Sequence, residues 1–188
     1  PQAQILGIGY DRTLGGLDLQ IKLREYLADK FNELKKPKTD VRKNQRAMAK
    51  LFKEAGRVKN VLSANAQIFA QIENVMDDID FKMEVTRDTF IKLNEDYFER
   101  VLGPMEKAIT ASGMTIGEIS EVILVGAGTR VPKVQEVLLG FLGAERELGK
   151  NLNTDEAAAM GAVYKAADLS TGFRVNIIFK QIDVKKPK

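Results

Sequence analysis

The chain has 188 residues, 44% of them hydrophobic and 29% charged, with a formal net charge of +3. That length and balance suit one soluble core, or two small lobes that share one, and no apolar run approaches the roughly 20 residues of a membrane span. With no Cys and no His, thiolate chemistry, disulfides, most zinc sites and imidazole acid–base catalysis are excluded, leaving carboxylates, Lys, Arg, Ser/Thr and backbone to carry any mechanism.

In chain order, Ile5 to Tyr10 reads as a short strand that runs into the pair Gly15-Gly16 with no partner strand before it, the opening of a piece of something longer. Leu19, Leu23, Leu27, Phe31 and Leu34 recur three or four residues apart and predict an amphipathic helix that Pro37 interrupts. A second helix is predicted from Val41 to Ser63, with Met48, Leu51, Phe52, Ala55, Val58 and Leu62 inward. Gly56 in its middle costs about 1 kcal/mol relative to Ala, so something must favour its lack of a side chain. Between Ala66 and Val85 the period changes to two, as in an antiparallel hairpin with one wet face. Thr86 then starts a helix carrying Phe90, Leu93, Tyr97 and Val101, and Pro104 restarts one that Gly113 ends. Thr115 to Glu118 has capping-box spacing. A strand follows from Glu121 to Val125, then a glycine turn and a helix from Pro132. Asn153 with Glu156 opens an alanine-rich helix to about Ala167, and Phe173, Val175 and Ile177 alternate in a tail assigned to a linker or the next module.

Charge is unevenly spread. Ten Lys/Arg lie between Lys35 and Lys59 against Asp40 and Glu54, and nine Asp/Glu between Glu73 and Glu99 against three cations. Apolar residues at helical spacing and a single interleaved aromatic, Phe52, make the basic stretch a solvated helix face rather than a nucleic-acid groove, which needs more stacking residues.

The stretch "VILVGAGTRVPKVQ", Val122 to Gln135, admits several readings. A dinucleotide fingerprint wants a third glycine where Val131 stands and an acid in a second strand. A phosphate loop of the Walker type wants Lys-Ser/Thr after its last glycine, and Thr129-Arg130 is not that pair. A plain strand-turn-helix connection with glycines for unusual dihedrals stays open. So does a loop on whose bare backbone a flat ligand lies, with the Arg130 guanidinium stacked on it.

Taken together, "DRTLGGLDL", "RVKNVLSAN", "VILVGAGTRVPKVQ" and "LNTDEAAAMGAVYKAA" resemble, in order and spacing, the second lobe of the nucleotide-binding domain of the 70-kDa heat-shock chaperones, over about Ile5 to Ala167. "YDRTLGG", "VLSAN", "MDDIDF" and "EVLLG" are similar to the large members of that superfamily found in the endoplasmic reticulum. The resemblance implies an α/β (α+β) fold, lobe II of an actin-like ATPase. Its RNase H-like α/β subdomain would take residues 1–17 and 94–170, a smaller helix-and-hairpin subdomain 18–93, and a linker or new module 171–188. It implies ATP or ADP as ligand, with magnesium in the parent but no metal ligand or catalytic residue in this piece. Gly126, Ala127, Gly128 and Arg130 fall on the family's adenosine loop, Lys59 and Ser63 on the helix closing the pocket, and Asp155 on the acid near the nucleoside. Gly15 and Gly16 match the turn into the smaller subdomain.

The chain departs from the family pattern in four places. The loop reads Gly-Ala-Gly instead of Gly-Gly-Ser, Gly56 stands where a glutamate meets the ribose, Asn60 where an arginine stacks opposite Arg130, and Leu17 where an acid follows the glycines. Loss of the second stacking cation forfeits about 0.5–2 kcal/mol. For the parent, the resemblance implies a stress chaperone in the endoplasmic-reticulum lumen. It would hold unfolded polypeptide and act as nucleotide-exchange factor for the smaller 70-kDa lumenal chaperone, with no nucleic-acid or membrane partner. The alternative is an ordinary 70-kDa-type foldase driven by its own ATPase cycle.

Overall fold

The computed structural model describes residues 2–143, 146–149, 153, 155–172 and 178–180. In chain order the elements are β1 (Gln2–Gln4), α1 (Gly16–Lys35), α2 (Gln45–Leu62), β2 (Gln67–Met76), β3 (Ile79–Thr86), α3 (Arg87–Leu93), α4 (Glu95–Glu99), α5 (Leu102–Ser112), β4 (Val122–Ile123), α6 (Pro132–Leu142), β5 (Leu148–Gly149), α7 (Ala157–Leu169) and β6 (Ile178–Lys180). Two compact units divide them, one holding Arg12–Val101 with Arg130–Val137, the other Pro1–Asp11, Leu102–Thr129 and Leu138–Lys188.

The first unit has the better filled core. Leu19, Leu23, Leu27, Ala28 and Phe31 of α1 are fully buried, as the helical spacing requires. Leu34, read as the next inward residue, is instead 57% exposed. The chain is already leaving the helix there, since Lys36 takes the left-handed conformation at φ 45° and donates its amide back to the Asn32 carbonyl. Asn32 also turns the chain inward, its side-chain oxygen accepting from Val41 N at 3.0 Å so that Val41 is buried. On α2 the buried stripe is Ala47, Leu51, Ala55, Val58 and Leu62, while Met48 and Phe52 lie half-buried at its flanks. Asn44 caps that helix, accepting from Ala47 N at 3.1 Å.

Strands β2 and β3 form the expected antiparallel hairpin, pairing Ala70 with Met83 and Ile72 with Phe81. Phe81 closes the core edge-on against Phe31, with ring centroids 5.6 Å apart. The turn holds Asp77 and Asp78 at φ 53° and 56°, the double left-handed conformation that suits the right-handed twist of a hairpin. The outer edge of β2 meets α2: Arg57 donates to the Phe69 carbonyl at 2.6 Å, Glu54 accepts from Gln71 N at 2.8 Å, and Lys50 donates to the carbonyls of Glu73 and Asn74. Helix side chains thus take up edge groups of β2 that β3 does not reach. Several residues of the basic stretch are therefore fixed by structure rather than merely solvated, and Arg42 joins them by pairing with Glu25 and Asp29 of α1.

The helix predicted from Thr86 through Val101 is broken at Asn94. Thr86 caps α3 as expected, its hydroxyl accepting from Thr89 N at 3.2 Å. Asn94 is fully buried and donates its side-chain amide to the Phe90 carbonyl at 2.8 Å. That side-chain bond competes with the backbone ladder, and the chain restarts as α4. Arg100 closes this region by donating to the hydroxyl and carbonyl oxygens of Thr13.

In the second unit, Ile5 to Tyr10 is not a strand; the strand here is Gln2–Gln4, parallel to β6. Ile5, Leu6, Ile8 and Tyr10 are each about half exposed, and the glycines between them lie on α5. Gly113 ends α5 at φ 70°, and the Thr115–Glu118 capping box forms, Thr115 N donating to Glu118 Oε2 at 2.7 Å. The strand expected over Glu121 to Val125 shrinks to Val122–Ile123, because its parallel partner among the described residues is the two-residue β5. Helix α7 begins at Ala157, four residues after its expected cap, since the Asn153 side chain accepts from Asp155 N at 3.2 Å and closes a local turn instead. Phe173, Val175 and Ile177 lie outside the described residues.

Candidate functional site

The glycine loop leaves β4 and reaches Gly126 at φ 97°, a conformation that disfavours any side chain. A Cβ built there would meet nothing within 4 Å, so the turn is bare on one side and open above. The Gly126 carbonyl accepts twice from Thr129, from its amide at 3.1 Å and its hydroxyl at 2.7 Å, which closes a short 3-10 turn over Ala127–Arg130. Pro132 then sits at the first position of α6, where a missing N–H costs nothing and the fixed φ is already helical. Val131 is buried, which explains why no third glycine stands there: the side chain fills core. The turn therefore needs Gly126 for its dihedral and leaves Gly126 and Ala127 exposed backbone with Arg130 at its end.

Lys59 and Ser63 stand one turn apart on α2. The Lys59 ammonium donates to the Gly16 carbonyl at 2.9 Å and to Gln20 Oε1 at 3.2 Å, and Ser63 Oγ donates to the Lys59 carbonyl at 3.2 Å. Both oxygens on Lys59 are neutral, and burial pushes its pKa below the ordinary lysine value. Gly16 opens α1 behind Gly15, whose amide is capped by Asp18 Oδ2 at 2.9 Å. Leu17 between them is exposed.

Gly56 has its explanation in Gln20. A Cβ at position 56 would stand 2.7 Å from Gln20 Nε2, and the carboxamide occupies that space while donating to the Phe52 carbonyl at 2.9 Å. Gln20 is the residue that sequence reasoning passed over. The costly glycine was its only signal, and nothing in the spacing says which side chain from another helix lies over it.

Lys59, Ser63 and Arg130 thus belong to one unit, and Gly126, Ala127, Gly128 and Asp155 to the other. Asp155 is exposed in the turn before α7. A nucleoside fits the local chemistry of each part: open bare backbone at Gly126, and a half-buried ammonium whose two hydrogen-bond partners above are neutral oxygens. Among the described residues there is no group of three or more His, Cys, Asp or Glu that could hold a metal ion.

The profile of the family described as Hsp70 protein matches residues 2–185. The chain belongs to the Hsp70 family. Its fold is that family's α/β, actin-like ATPase lobe, and the Hsp70 domain is a nucleotide-binding one that works with magnesium. Among its Hsp70 relatives, Hypoxia up-regulated protein 1 of Danio rerio is 62% identical over 175 residues, covering 93% of this chain and 18% of the relative. The protein of that name from Xenopus tropicalis is 60% identical over 175 residues, covering 93% and 27%, and that from Homo sapiens 60% over 177 residues, covering 93% and 18%. The chain therefore spans between about a fifth and a quarter of the length of these Hsp70 relatives. No helix among its described residues is long and apolar enough to cross a membrane.

Proposed function

We propose that this chain is lobe II of the nucleotide-binding domain of a large, hypoxia-linked stress chaperone of the endoplasmic-reticulum lumen. The whole protein holds unfolded polypeptide and speeds nucleotide exchange on the smaller lumenal 70-kDa chaperone. The observation that carries the reading is the 62% identity, over 93% of the chain, to a Hypoxia up-regulated protein 1. In this reading residues 1–17 and 94–170 form the α/β subdomain and 18–93 the helix-and-hairpin subdomain. Gly126, Ala127 and Gly128 bear the adenine, Arg130 stacks on it, Lys59 and Ser63 wall the nucleoside, and Asp155 lies near it.

The bare turn supports this role, because a flat purine makes dispersion contact only where no side chain intervenes, and a guanidinium over its face adds cation–π attraction. Magnesium, where bound, neutralises the phosphates, and its ligands are expected in the rest of the nucleotide-binding domain. Within this chain the residues bind and orient the nucleoside and set how the lobe closes on it.

Two measurements test the proposal. The full-length protein should accelerate release of fluorescent ADP from the smaller chaperone, and Arg130→Ala should weaken that acceleration by roughly three- to tenfold; an unchanged release rate with the full-length protein added dismisses the exchange role. The 188-residue chain alone should turn over no ATP, since metal and donors around the γ-phosphate are required for phosphoryl transfer. Phosphate release by the purified chain above that of a buffer blank contradicts it.

A further inference from the structure

Helix α2 carries a glycine at position 56, and the space above it is filled from α1. Gln20 lies across the gap with Nε2 at 2.7 Å and Cδ at 3.1 Å from where a Cβ would stand. From that seat the carboxamide is held at both ends: Nε2 donates to the Phe52 carbonyl at 2.9 Å, and Oε1 accepts from Lys59 Nζ at 3.2 Å. Phe52 lies four residues before Gly56 and Lys59 three after, so one carboxamide links residues seven apart on α2. Any residue larger than glycine at 56 would push the amide off this line. Gly56 and Gln20 are a matched pair, and the helix-propensity loss at 56 is the local cost of the match.

The second partner of Lys59 is the Gly16 carbonyl, at 2.9 Å. An ammonium has three N–H donors, and the two assigned here go to neutral oxygens of the first turns of α1. A half-buried cation in such surroundings has given up water without gaining a carboxylate in return, which leaves it with unmet attraction for an electron-rich oxygen. Its third N–H donates to nothing among the described residues.

We propose that Gln20, seated over Gly56, is the positioning residue of Lys59, aiming the free N–H of the ammonium at an oxygen of the bound nucleotide. The inference rests on the nucleotide-site reading above and adds to it a residue from α1 and a reason for the glycine in α2. Gln20 acts through Lys59 and does not itself touch the nucleotide.

The test uses the full-length protein, ADP with magnesium, and isothermal titration calorimetry alongside thermal melting. Gln20→Ala should weaken ADP binding by roughly three- to tenfold, the scale of one ordinary hydrogen bond. Gln20→Glu, which loses the donor to the Phe52 carbonyl and gives the ammonium a carboxylate of its own, should not recover that loss. Gly56→Ala should weaken binding to a similar degree and lower the melting temperature, because its methyl displaces the carboxamide. Combining Gly56→Ala with Gln20→Ala relieves the collision, so the melting temperature should recover while ADP affinity stays low. That split separates positioning from packing. Affinity that recovers together with melting temperature in the double variant, or Gln20→Ala binding ADP as tightly as wild type, overturns the proposal. Arg130→Ala controls for the underlying reading. A wild-type protein that does not bind ADP sinks both, whereas binding weakened by Arg130→Ala and untouched by Gln20→Ala sinks the role of Gln20 alone.

Discussion

Gly9→Ala is expected to destabilise the chain by about 3 kcal/mol or more, lowering the melting temperature by roughly 6–12 °C. A Cβ on Gly9 would stand 1.8 Å from the Pro104 carbonyl oxygen and 2.8 Å from its carbon, and one on Gly7 2.1 Å from the Ala108 oxygen and 2.8 Å from Ser112 N. All of these are backbone atoms of α5 and cannot swing aside as a side chain would. As the chain goes from Gly7 to Gly9, its contacts step back one turn of α5, from Ala108 and Ser112 to Pro104 and Ala108. The segment therefore runs antiparallel to the helix, its two-residue period of about 6.6 Å close to the roughly 6 Å of four helical residues. Adding a methyl lifts it off along its length. Gly161→Ala in α7 is the control within the same unit, for nothing lies within 4 Å of its Cβ position. That change should instead stabilise by about 0.5–1 kcal/mol, the ordinary helix gain. Calorimetric melting of the three proteins decides the matter, and a Gly9→Ala transition within a degree of wild type would refute the close approach.

Glu54→Gln should cost about 2 kcal/mol at neutral pH, and the cost should fade in acid. Glu54 is only 9% exposed. Its carboxylate accepts from Arg57 Nε at 3.0 Å, from Arg57 NH2 at 2.5 Å and from Gln71 N at 2.8 Å, so one side chain binds α2 to the edge of β2. Burial alone would raise its pKa, yet the hydrogen bond and charge of Arg57 and the Gln71 amide together hold it below the ordinary 4.5. A carboxylate with a depressed folded-state pKa contributes stability that is complete above the unfolded value. That stability is lost as pH falls through the folded one. The difference between wild type and Glu54→Gln in urea unfolding should thus be full above pH about 4.5 and narrow steadily below it. A difference that stays constant from pH 7 down to pH 3 would show that Glu54 contributes no charge-dependent link. Glu54→Ala should cost more at neutral pH, since it also leaves the Gln71 amide without its acceptor.

Much of the architecture was legible in the residues. The stripes of α1 and α2, the period-two hairpin, the Thr86 cap and the Thr115–Glu118 box form as read, because each depends on side chains within a few positions of one another. The glycine loop was legible too, as a bend that only glycine at 126 tolerates, followed by Pro132 opening a helix. Leu34, Asn94 and the segment from Ile5 to Tyr10 were misread because a helical or strand-like pattern is overridden there, near Leu34 and at Asn94 by a nearby hydrogen bond and at Ile5 to Tyr10 by a helix far along the chain. Asn94 breaks its helix with its own buried amide, and Gly7 and Gly9 alternate like strand residues yet rest on a helix. Asn153 carries a helix-cap signature and closes a turn one step earlier.

By itself the sequence determined the family, through four motifs that resemble it in order, and the faces of the two long helices, which follow from residue types at short fixed spacings. Only the tertiary structure decided that Gln20 fills the space over Gly56, that Glu54 and Arg57 close a sheet edge, and that the N-terminal glycines lie on α5. Those outcomes depend on which surfaces meet across tens of residues. The energies that select them arise from close contact and desolvation at the meeting point, quantities that no local pattern encodes.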